Sequence, residues 1–97
     1  MKYTLDVHPR VIKEAAAIYA YREAERKGSG ERFIDALIAA YARITSNPYG
    51  CQVRFGEFRH VMLARLKYRL VYRVHGSAVY VVQVRHTSRK PSKRFGP

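Results

Sequence analysis

The stretch YRLVYRV at residues 68–74 decides the fold, together with HGS at 75–77 and AVYVVQVR at 78–85. The two longer segments are rich in β-branched and aromatic residues, which favour strands. The link between them is short and contains Gly76, as tight turns between antiparallel strands commonly do. The pattern therefore predicts a β-hairpin near the end of the chain.

Side chains alternate between the two faces of a strand, and this sorts the residues of the hairpin. Arg69 and Arg73 share one face of the first strand with Val71, while its tyrosines and Leu70 share the other. On the last strand, the same alternation places Arg85 on the polar side. The residues predicted to pack inward from this strand are Tyr80, Val82 and Val84. The hairpin thus predicts a sheet with one apolar and one basic face.

Hydrophobic periodicity gives the elements that precede the hairpin. They are a strand at 2–7, a helix at 9–27, a second helix that follows Ser29 and stops at Asn47-Pro48, a loop at 49–56 and a strand at 58–65. Pro9 suits a first helical position, where its missing N–H has no partner in any case. Ser29 is the predicted N-cap of the second helix, and Asn47 with Pro48 ends that helix.

The element order β-α-α-β-β-β predicts an α+β fold, with an antiparallel helical hairpin packed on one face of a small antiparallel sheet. The first strand is expected at an edge of that sheet. A chain of 97 residues has material for one core, so residues 1–97 are expected to form a single domain. Residues 88–97 depart from globular composition and are interpreted as a basic tail.

Charge is concentrated in the second half of the chain. Residues 51–97 carry eleven Lys or Arg and one acidic residue, Glu57, whereas residues 1–50 carry eight basic and six acidic residues. The net charge of +12 therefore divides into +10 and +2. A folded cationic face of this kind predicts a polyanion, or a partner that mimics one, although a merely solvated surface is the alternative.

The composition argues against several classes of function. Cys51 is the single cysteine, so no internal disulfide can form, and the spaced Cys and His sets of zinc sites are lacking. No metal and no cofactor are expected, since phosphate-binding and dinucleotide motifs are also missing. No apolar run reaches the length of a membrane span. These observations predict a cytoplasmic protein without a membrane partner.

The candidate binding residues are the arginines of the basic sheet face. Arg69, Arg73 and Arg85 are expected to lie together, and Arg59 and Arg65 can join them from the preceding strand. Guanidinium groups bind phosphate or carboxylate through two parallel hydrogen bonds. The alternative is that these arginines are exposed and bind no ligand.

Glu57 and His86 are the candidate proton-transfer groups. RNA cleavage by a 2′-hydroxyl needs a base, cations that stabilise the phosphorane, and an acid for the leaving oxygen. Glu57, the arginines and His86 can supply that set. The alternatives are an ion pair within the sheet for Glu57 and a structural hydrogen bond for His86.

The order of segments carries a resemblance that covers almost the whole chain. Its parts are AAAIY at 15–19, GERFIDAL at 30–37, Asn47-Pro48, YRLVYRV at 68–74 and the valine-rich strand that reaches His86. This order resembles the RelE/ParE superfamily of type II toxin–antitoxin toxins. The resemblance implies a cognate antitoxin with an acidic C-terminal segment, which folds onto the toxin as a helix or an added strand in a hetero-oligomer.

The opening of the second helix and the last basic motif look like the ParE branch. Toxins of that branch, associated with plasmid stabilisation, bind DNA gyrase and block replication without chemistry of their own. The resemblance then implies no catalytic residues and a target-binding role for the basic end of the chain. The residues so assigned, beyond the sheet arginines above, are His86, Arg89, Lys93, Arg94 and Phe95.

The competing RelE branch cleaves messenger RNA on the ribosome. In that alternative, Arg69 matches a catalytic arginine, and Glu57 and His86 roughly match the base and acid. Thr87 and Ser88 stand where an active-site tyrosine is common in that branch, which argues against nuclease activity. A third alternative is a non-toxic basic module that binds nucleic acid and has kept only the fold.

Overall fold

Five strands and two helices are formed by residues 3–63 and 65–88, which are the residues that the computed structural model describes. In chain order they are β1 (Thr4–Val7), α1 (Pro9–Glu25), α2 (Ser29–Ser46), a 3₁₀ turn (Pro48–Gly50), β2 (Val53–Phe55), β3 (Phe58–Met62), β4 (Tyr68–His75) and β5 (Ala78–His86). The predicted α+β class and the helical hairpin on one sheet face are confirmed.

The strands form one mixed sheet in the order β1-β5-β4-β3-β2. Strands β2 to β5 make an antiparallel meander, and β1 lies at the edge beside β5, to which it runs parallel. β2 lies inside the segment predicted to be a loop. It was missed because three residues are too few for an alternating pattern to be recognised.

The two helices are joined by a cap that crosses between them. The carboxylate of Glu23 in α1 accepts the backbone N–H groups of Gly28 (3.0 Å), Gly30 (2.8 Å) and Glu31 (3.3 Å) at the start of α2. These hydrogen bonds lower the pKa of Glu23, and the bond from Gly28 has the largest effect. Burial of the carboxylate acts in the opposite direction. The predicted N-cap at Ser29 is wrong. Gly28 occupies that position in the left-handed region, with a φ of 88°, and the Glu23 carboxylate supplies the acceptor that a capping side chain would otherwise provide.

The core lies between the helices and one face of the sheet. Phe33 of α2 and Tyr68 of β4 pack with ring centroids 5.1 Å apart. Tyr72 is fully buried and its hydroxyl donates to the carbonyl of Pro48 at 2.7 Å. This bond ties the segment after α2 to the centre of the sheet. No helix within the described ranges is both long and apolar enough to span a membrane.

A β-bulge changes which residues of β5 enter the core. The pairing of β4 with β5 shifts between Val71 and Tyr72, so that Val71 lies opposite Gln83 and Tyr72 opposite Val81. One extra residue on a bulged strand reverses the alternation beyond it. The core residues of β5 are therefore Val79, Val81 and Val84. The inward placement predicted for Tyr80 and Val82 is wrong.

Candidate target-binding face

The sheet face opposite the helices carries a row of cations, and we call it the arginine face. Leu70 and Tyr72 of β4 belong to the core on the helix side. Strand alternation therefore places the intervening residues on the arginine face, and cross-strand pairing extends the set to β3 and β5. The face comprises His60, Met62, Arg69, Val71, Arg73, Tyr80, Gln83 and Arg85.

Three guanidinium groups gather at one end of the arginine face. Arg69 lies directly opposite Arg85 in the ladder, and side chains so placed are about 5 Å apart at Cβ. Burial lowers the pKa of Arg69, and the positive charges of Arg54 and Arg85 lower it further. Arg85 is 5% exposed. Arg54 and Arg69 therefore form a cationic site suited to phosphate or carboxylate groups, and the buried Arg85 adds to its positive charge.

Arg54 is the member of this cluster that the sequence did not indicate. It lies on β2, within the segment predicted as a loop, and no strand alternation pointed to its face. Only the pairing of β2 with β3 brings it close enough to influence Arg69. The signal available in the sequence was its position in a basic and aromatic segment, VRF at 53–55.

Arg73 lies on the arginine face but belongs to a second cluster. Its guanidinium stacks over the ring of Tyr80 at 4.4 Å and pairs with the carboxylate of Glu57 at 3.5 Å. Both side chains of that ion pair are partly solvated, and pairs of this kind contribute little to stability. Arg73 lies four positions along β4 from Arg69, a distance of roughly 13 Å. The structure thus gives Glu57 the ion pair that was the alternative to a catalytic role.

Arg59 and Arg65 do not join the arginine face. Arg59 shares the helix side of β3 with Val61, donates to the carbonyl of Cys51, and lies 5.1 Å from the ring of Tyr49. Arg65 lies in the turn after β3 with a φ of 58° and is exposed. The predicted strand at 58–65 ends at Met62, and strand alternation therefore does not apply to Arg65.

His86 lies on the helix side of the sheet. It pairs with Tyr68, and their rings meet edge to face with centroids 5.1 Å apart. Its Nδ1 accepts the backbone N–H of Ser88 at 3.1 Å, and the hydroxyl of Ser88 lies 2.6 Å from the same atom. These contacts are those of a structural histidine.

The catalytic set of the RelE alternative is consequently not assembled. Glu57 is held by Arg73 at the far end of the arginine face, and His86 lies on the opposite side of the sheet from Arg69. A phosphodiester bound at Arg69 has neither group within hydrogen-bond reach. The predicted residues Arg89, Lys93, Arg94 and Phe95 lie outside the described residues.

A cavity of about 440 Å³ opens between α1 and the end of β5. Its walls include Ile18, Tyr21, Tyr68 and Val84, with Glu14 at one side. The carboxylate of Glu14 accepts the backbone N–H of Val84 at 3.0 Å, which closes part of the free edge of β5. Among the described residues, no three His, Cys, Asp or Glu side chains converge as a metal site would require.

Solved structures with the same arrangement of elements are toxins and toxin–antitoxin complexes. The chromosomal ParDE toxin–antitoxin system from P. aeruginosa aligns with a TM-score of 0.79 at 12% identity, covering 90% of this chain and 98% of that chain. The intact E. coli RelBE toxin–antitoxin complex aligns with a TM-score of 0.64 at 25% identity, covering 90% and 99%. The isolated E. coli RelE toxin aligns with a TM-score of 0.63 at 25% identity, covering 91% of this chain and 87% of that chain. No curated protein matches the chain in sequence.

The helical hairpin, the mixed sheet and these likenesses define a toxin of the RelE/ParE superfamily. The family model described as "ParE toxin of type II toxin-antitoxin system, parDE" matches residues 5–91. The chain belongs to this family. It is the toxin of a type II toxin–antitoxin system, and its partner is a cognate antitoxin.

Proposed function

We propose that this toxin acts in the cytoplasm by binding DNA gyrase and inhibiting it, and that it performs no chemical step itself. The observation that carries the proposal is the separation of Glu57, Arg69 and His86. Glu57 is engaged by Arg73 at 3.5 Å, and His86 packs on Tyr68 on the other side of the sheet. Because the described residues bring neither of these groups to Arg69, binding to a target is the mode of action that they support best.

The arginine face supplies the contacts that such binding needs. Arg54 and Arg69 offer guanidinium groups on this face, and Arg85, which is 5% exposed, adds its positive charge from a buried position beside Arg69. Arginine is enriched among the residues that dominate binding energy, since one side chain combines charge, several donors and stacking area. Membership in the ParE family, with residues 5–91 matched, supports gyrase as the target. The predicted tail residues Arg89, Lys93, Arg94 and Phe95 extend this proposal beyond the described part of the chain.

The second candidate is a ribosome-dependent messenger RNA endoribonuclease of the RelE kind. The cluster of Arg54, Arg69 and Arg85 favours it, because three cations at one point suit a phosphodiester and its developing negative charge. The likeness to the isolated E. coli RelE toxin at 25% identity also favours it. It requires an acid and a base that the described residues do not bring to Arg69.

Pulse labelling after induced expression in bacteria separates the two candidates. Gyrase inhibition stops replication first, so incorporation of labelled thymidine should fall before that of methionine. The variant Arg69→Gln should lose this effect, and Arg32→Gln, which removes an exposed arginine from α2, should keep it. Early loss of methionine incorporation would favour the nuclease. Unchanged growth with both labels would contradict the proposal and favour a basic nucleic-acid-binding module.

A further inference from the structure

The cations of the arginine face are arranged along one strand. Arg69 and Arg73 lie four positions apart on β4, a distance of roughly 13 Å. The pairing of β4 with β5 continues one step before Tyr68, because the N–H of Thr87 donates to the carbonyl of Lys67 at 2.8 Å. Strand alternation therefore places the exposed Lys67 on the same side of the sheet as Arg69. We call Lys67, Arg69 and Arg73 the cationic track, and it runs for roughly 20 Å.

Further positive charge lies beside the track at Arg69. Burial lowers the pKa of Arg69, and the charge of the exposed Arg54 lowers it further, so the two guanidinium groups are close together. Arg85 lies opposite Arg69 in the ladder and adds its charge from a buried position. None of the eight described residues that form the arginine face is acidic. The positive potential of the track is therefore strongest around Arg69.

At its other end, the track holds a guanidinium group that a carboxylate occupies. Glu57 pairs with Arg73 at 3.5 Å, and the side chain of Glu57 is 63% exposed. An ion pair with this exposure is weak, so a second anion can replace the carboxylate. The guanidinium of Arg73 also stacks on the ring of Tyr80 at 4.4 Å. That stacking keeps Arg73 in position for an anion that displaces Glu57.

The spacing of the cations suits a phosphodiester strand. The charges of a nucleic-acid backbone recur at a fixed interval along each strand. The distance of roughly 13 Å between Arg69 and Arg73 matches the separation of two phosphates that have one phosphate between them. Guanidinium groups bind phosphate oxygens through paired hydrogen bonds, and lysine binds them as a point charge. An acidic protein surface offers no such repeat.

The arginine face also differs in composition from a protein–protein interface. Among its eight described residues, Met62 is the one large apolar side chain with high exposure, at 49%, and Val71 at its centre is fully buried. The core of a protein–protein interface is more apolar than the rest of the surface. Interfaces with DNA are more polar and much more positively charged. The composition of the face therefore favours DNA over an acidic protein.

We propose that the cationic track binds the phosphodiester backbone of duplex DNA. Arg69 and Arg54 bind one phosphate, and Arg73 binds a second phosphate of the same strand after Glu57 is displaced. Lys67 extends the contact beyond Arg69. Contacts to the backbone alone carry no sequence preference. This site rests on the proposed function in one respect, since the DNA it meets during inhibition is the DNA that gyrase holds.

The test measures binding of the purified full chain to a short labelled DNA duplex by fluorescence anisotropy, between about 50 and 200 mM salt. Four cations on phosphates predict that log K falls against log salt with a slope of about −3 to −4. Arg69→Gln should bind about tenfold more weakly and make the slope less steep by about one. The matched control is Arg32→Gln, which removes the same charge from an exposed position on α2 and should keep the slope of wild type.

Glu57→Gln separates this site from general attraction to the charged surface. Without the carboxylate, a phosphate reaches Arg73 without displacing a partner, so Glu57→Gln should bind the duplex about 2- to 5-fold more tightly than wild type. Asp35→Asn is the control, because it removes an exposed carboxylate from α2, remote from the track, and it should bind as wild type does. Equal affinities of Glu57→Gln and Asp35→Asn would contradict the role of Arg73.

Three other results would overturn the DNA site. Equal salt slopes for Arg69→Gln and Arg32→Gln would show that binding reflects net charge alone. Tighter binding of single-stranded RNA than of duplex DNA would assign the track to the nuclease candidate. Competition by poly-glutamate as strong as that by unlabelled duplex, at equal concentration of charge, would assign the face to an acidic protein.

The binding test contains no gyrase, so its outcome is separate from that of the proposed function. A toxin that binds the duplex as predicted but leaves gyrase active would keep the DNA site and remove gyrase as the target. A toxin that inhibits gyrase without binding duplex DNA would overturn the DNA site and leave the proposed function in place.

Discussion

The two faces of the sheet use the same strands for different purposes. On the helix side, Leu70 and Tyr72 are fully buried against the helices. On the arginine face, Arg69 and Arg73 alternate with those residues along β4. Burial on one side stabilises the strand while like charges gather on the other, where Arg54 and Arg85 lower the pKa of Arg69. Packing on the helix side therefore positions the arginines that β4 carries on its other face.

The largest effect is expected on the helix side. Phe33 is fully buried and packs on Tyr68, so Phe33→Ala leaves a cavity and should lower the free energy of unfolding by about 3–5 kcal/mol. Urea denaturation measures this change. Ile38→Ala is the control, because Ile38 lies on the same helix and is 58% exposed. If Phe33→Ala lowered the free energy of unfolding by no more than Ile38→Ala does, the result would contradict the core described here.

A smaller effect is expected from the buried hydroxyl of Tyr72. Tyr72→Phe leaves the carbonyl of Pro48 without this donor and should cost about 1–3 kcal/mol. Burial first, and then the neighbouring Cys51 thiol, raise the pKa of Tyr72 above its ordinary value of 10.0.

The raised pKa of Tyr72 also sets a pH dependence. Its contribution to stability is fully present below the unfolded pKa and is lost as pH rises towards the folded one. Wild type should therefore lose stability above about pH 10 more steeply than Tyr72→Phe does. Denaturation at a series of alkaline pH values measures the two slopes, and parallel slopes would contradict this account.

On the arginine face, the cluster should bind small polyvalent anions. Pyrophosphate at ten times its Kd should stabilise wild type by about 1.4 kcal/mol, seen as a higher thermal midpoint. Chloride at equal ionic strength should do less, since it cannot accept paired guanidinium bonds. Arg69→Gln should remove the difference between the two anions, and Arg32→Gln should retain it. If pyrophosphate stabilised both variants equally relative to chloride, the stabilisation would come from general charge screening and not from binding at the cluster.

The smallest effect concerns the cap between the helices, remote from both faces. Because the pKa of Glu23 is lowered from 4.5, its contribution to stability is present above that value and is lost as pH falls through the folded pKa. Glu23→Gln should thus be less stable than wild type at neutral pH, and the gap should narrow in acid. Thermal midpoints of both proteins at pH 7 and in acid measure this difference in stability. A gap that is independent of pH would contradict a role for the carboxylate charge.

Much of the fold follows from the sequence because its signals are local. Alternation in YRLVYRV predicts both faces of β4, and Pro9 with Asn47-Pro48 predicts the ends of the helical region. The features that escaped prediction depend on pairing between distant segments. The bulge opposite Val71 reverses the alternation of β5, and Glu23 caps α2 from another helix. Neither leaves a periodic pattern.

The site was predicted less completely for the same reason. Arg69 and Arg85 were grouped correctly from alternation, since their strands are adjacent in the chain. Arg59 was a candidate to join them. It lies two positions before the core residue Val61 on β3, however, and therefore shares the helix side of the sheet with it. Arg54 was missed because β2 is too short and exposed to be seen as a strand. Cross-strand neighbours of a short edge strand are set by tertiary pairing, which alternation does not encode.

The most direct test of the account is inhibition of gyrase supercoiling by purified wild-type toxin and by Arg69→Gln, on samples whose urea midpoints have been measured. The account predicts that Arg69→Gln needs at least about tenfold more protein for half inhibition, with an unfolding free energy within about 0.5 kcal/mol of wild type. Equal inhibition by the two proteins would contradict it. So would a wild type that leaves gyrase active.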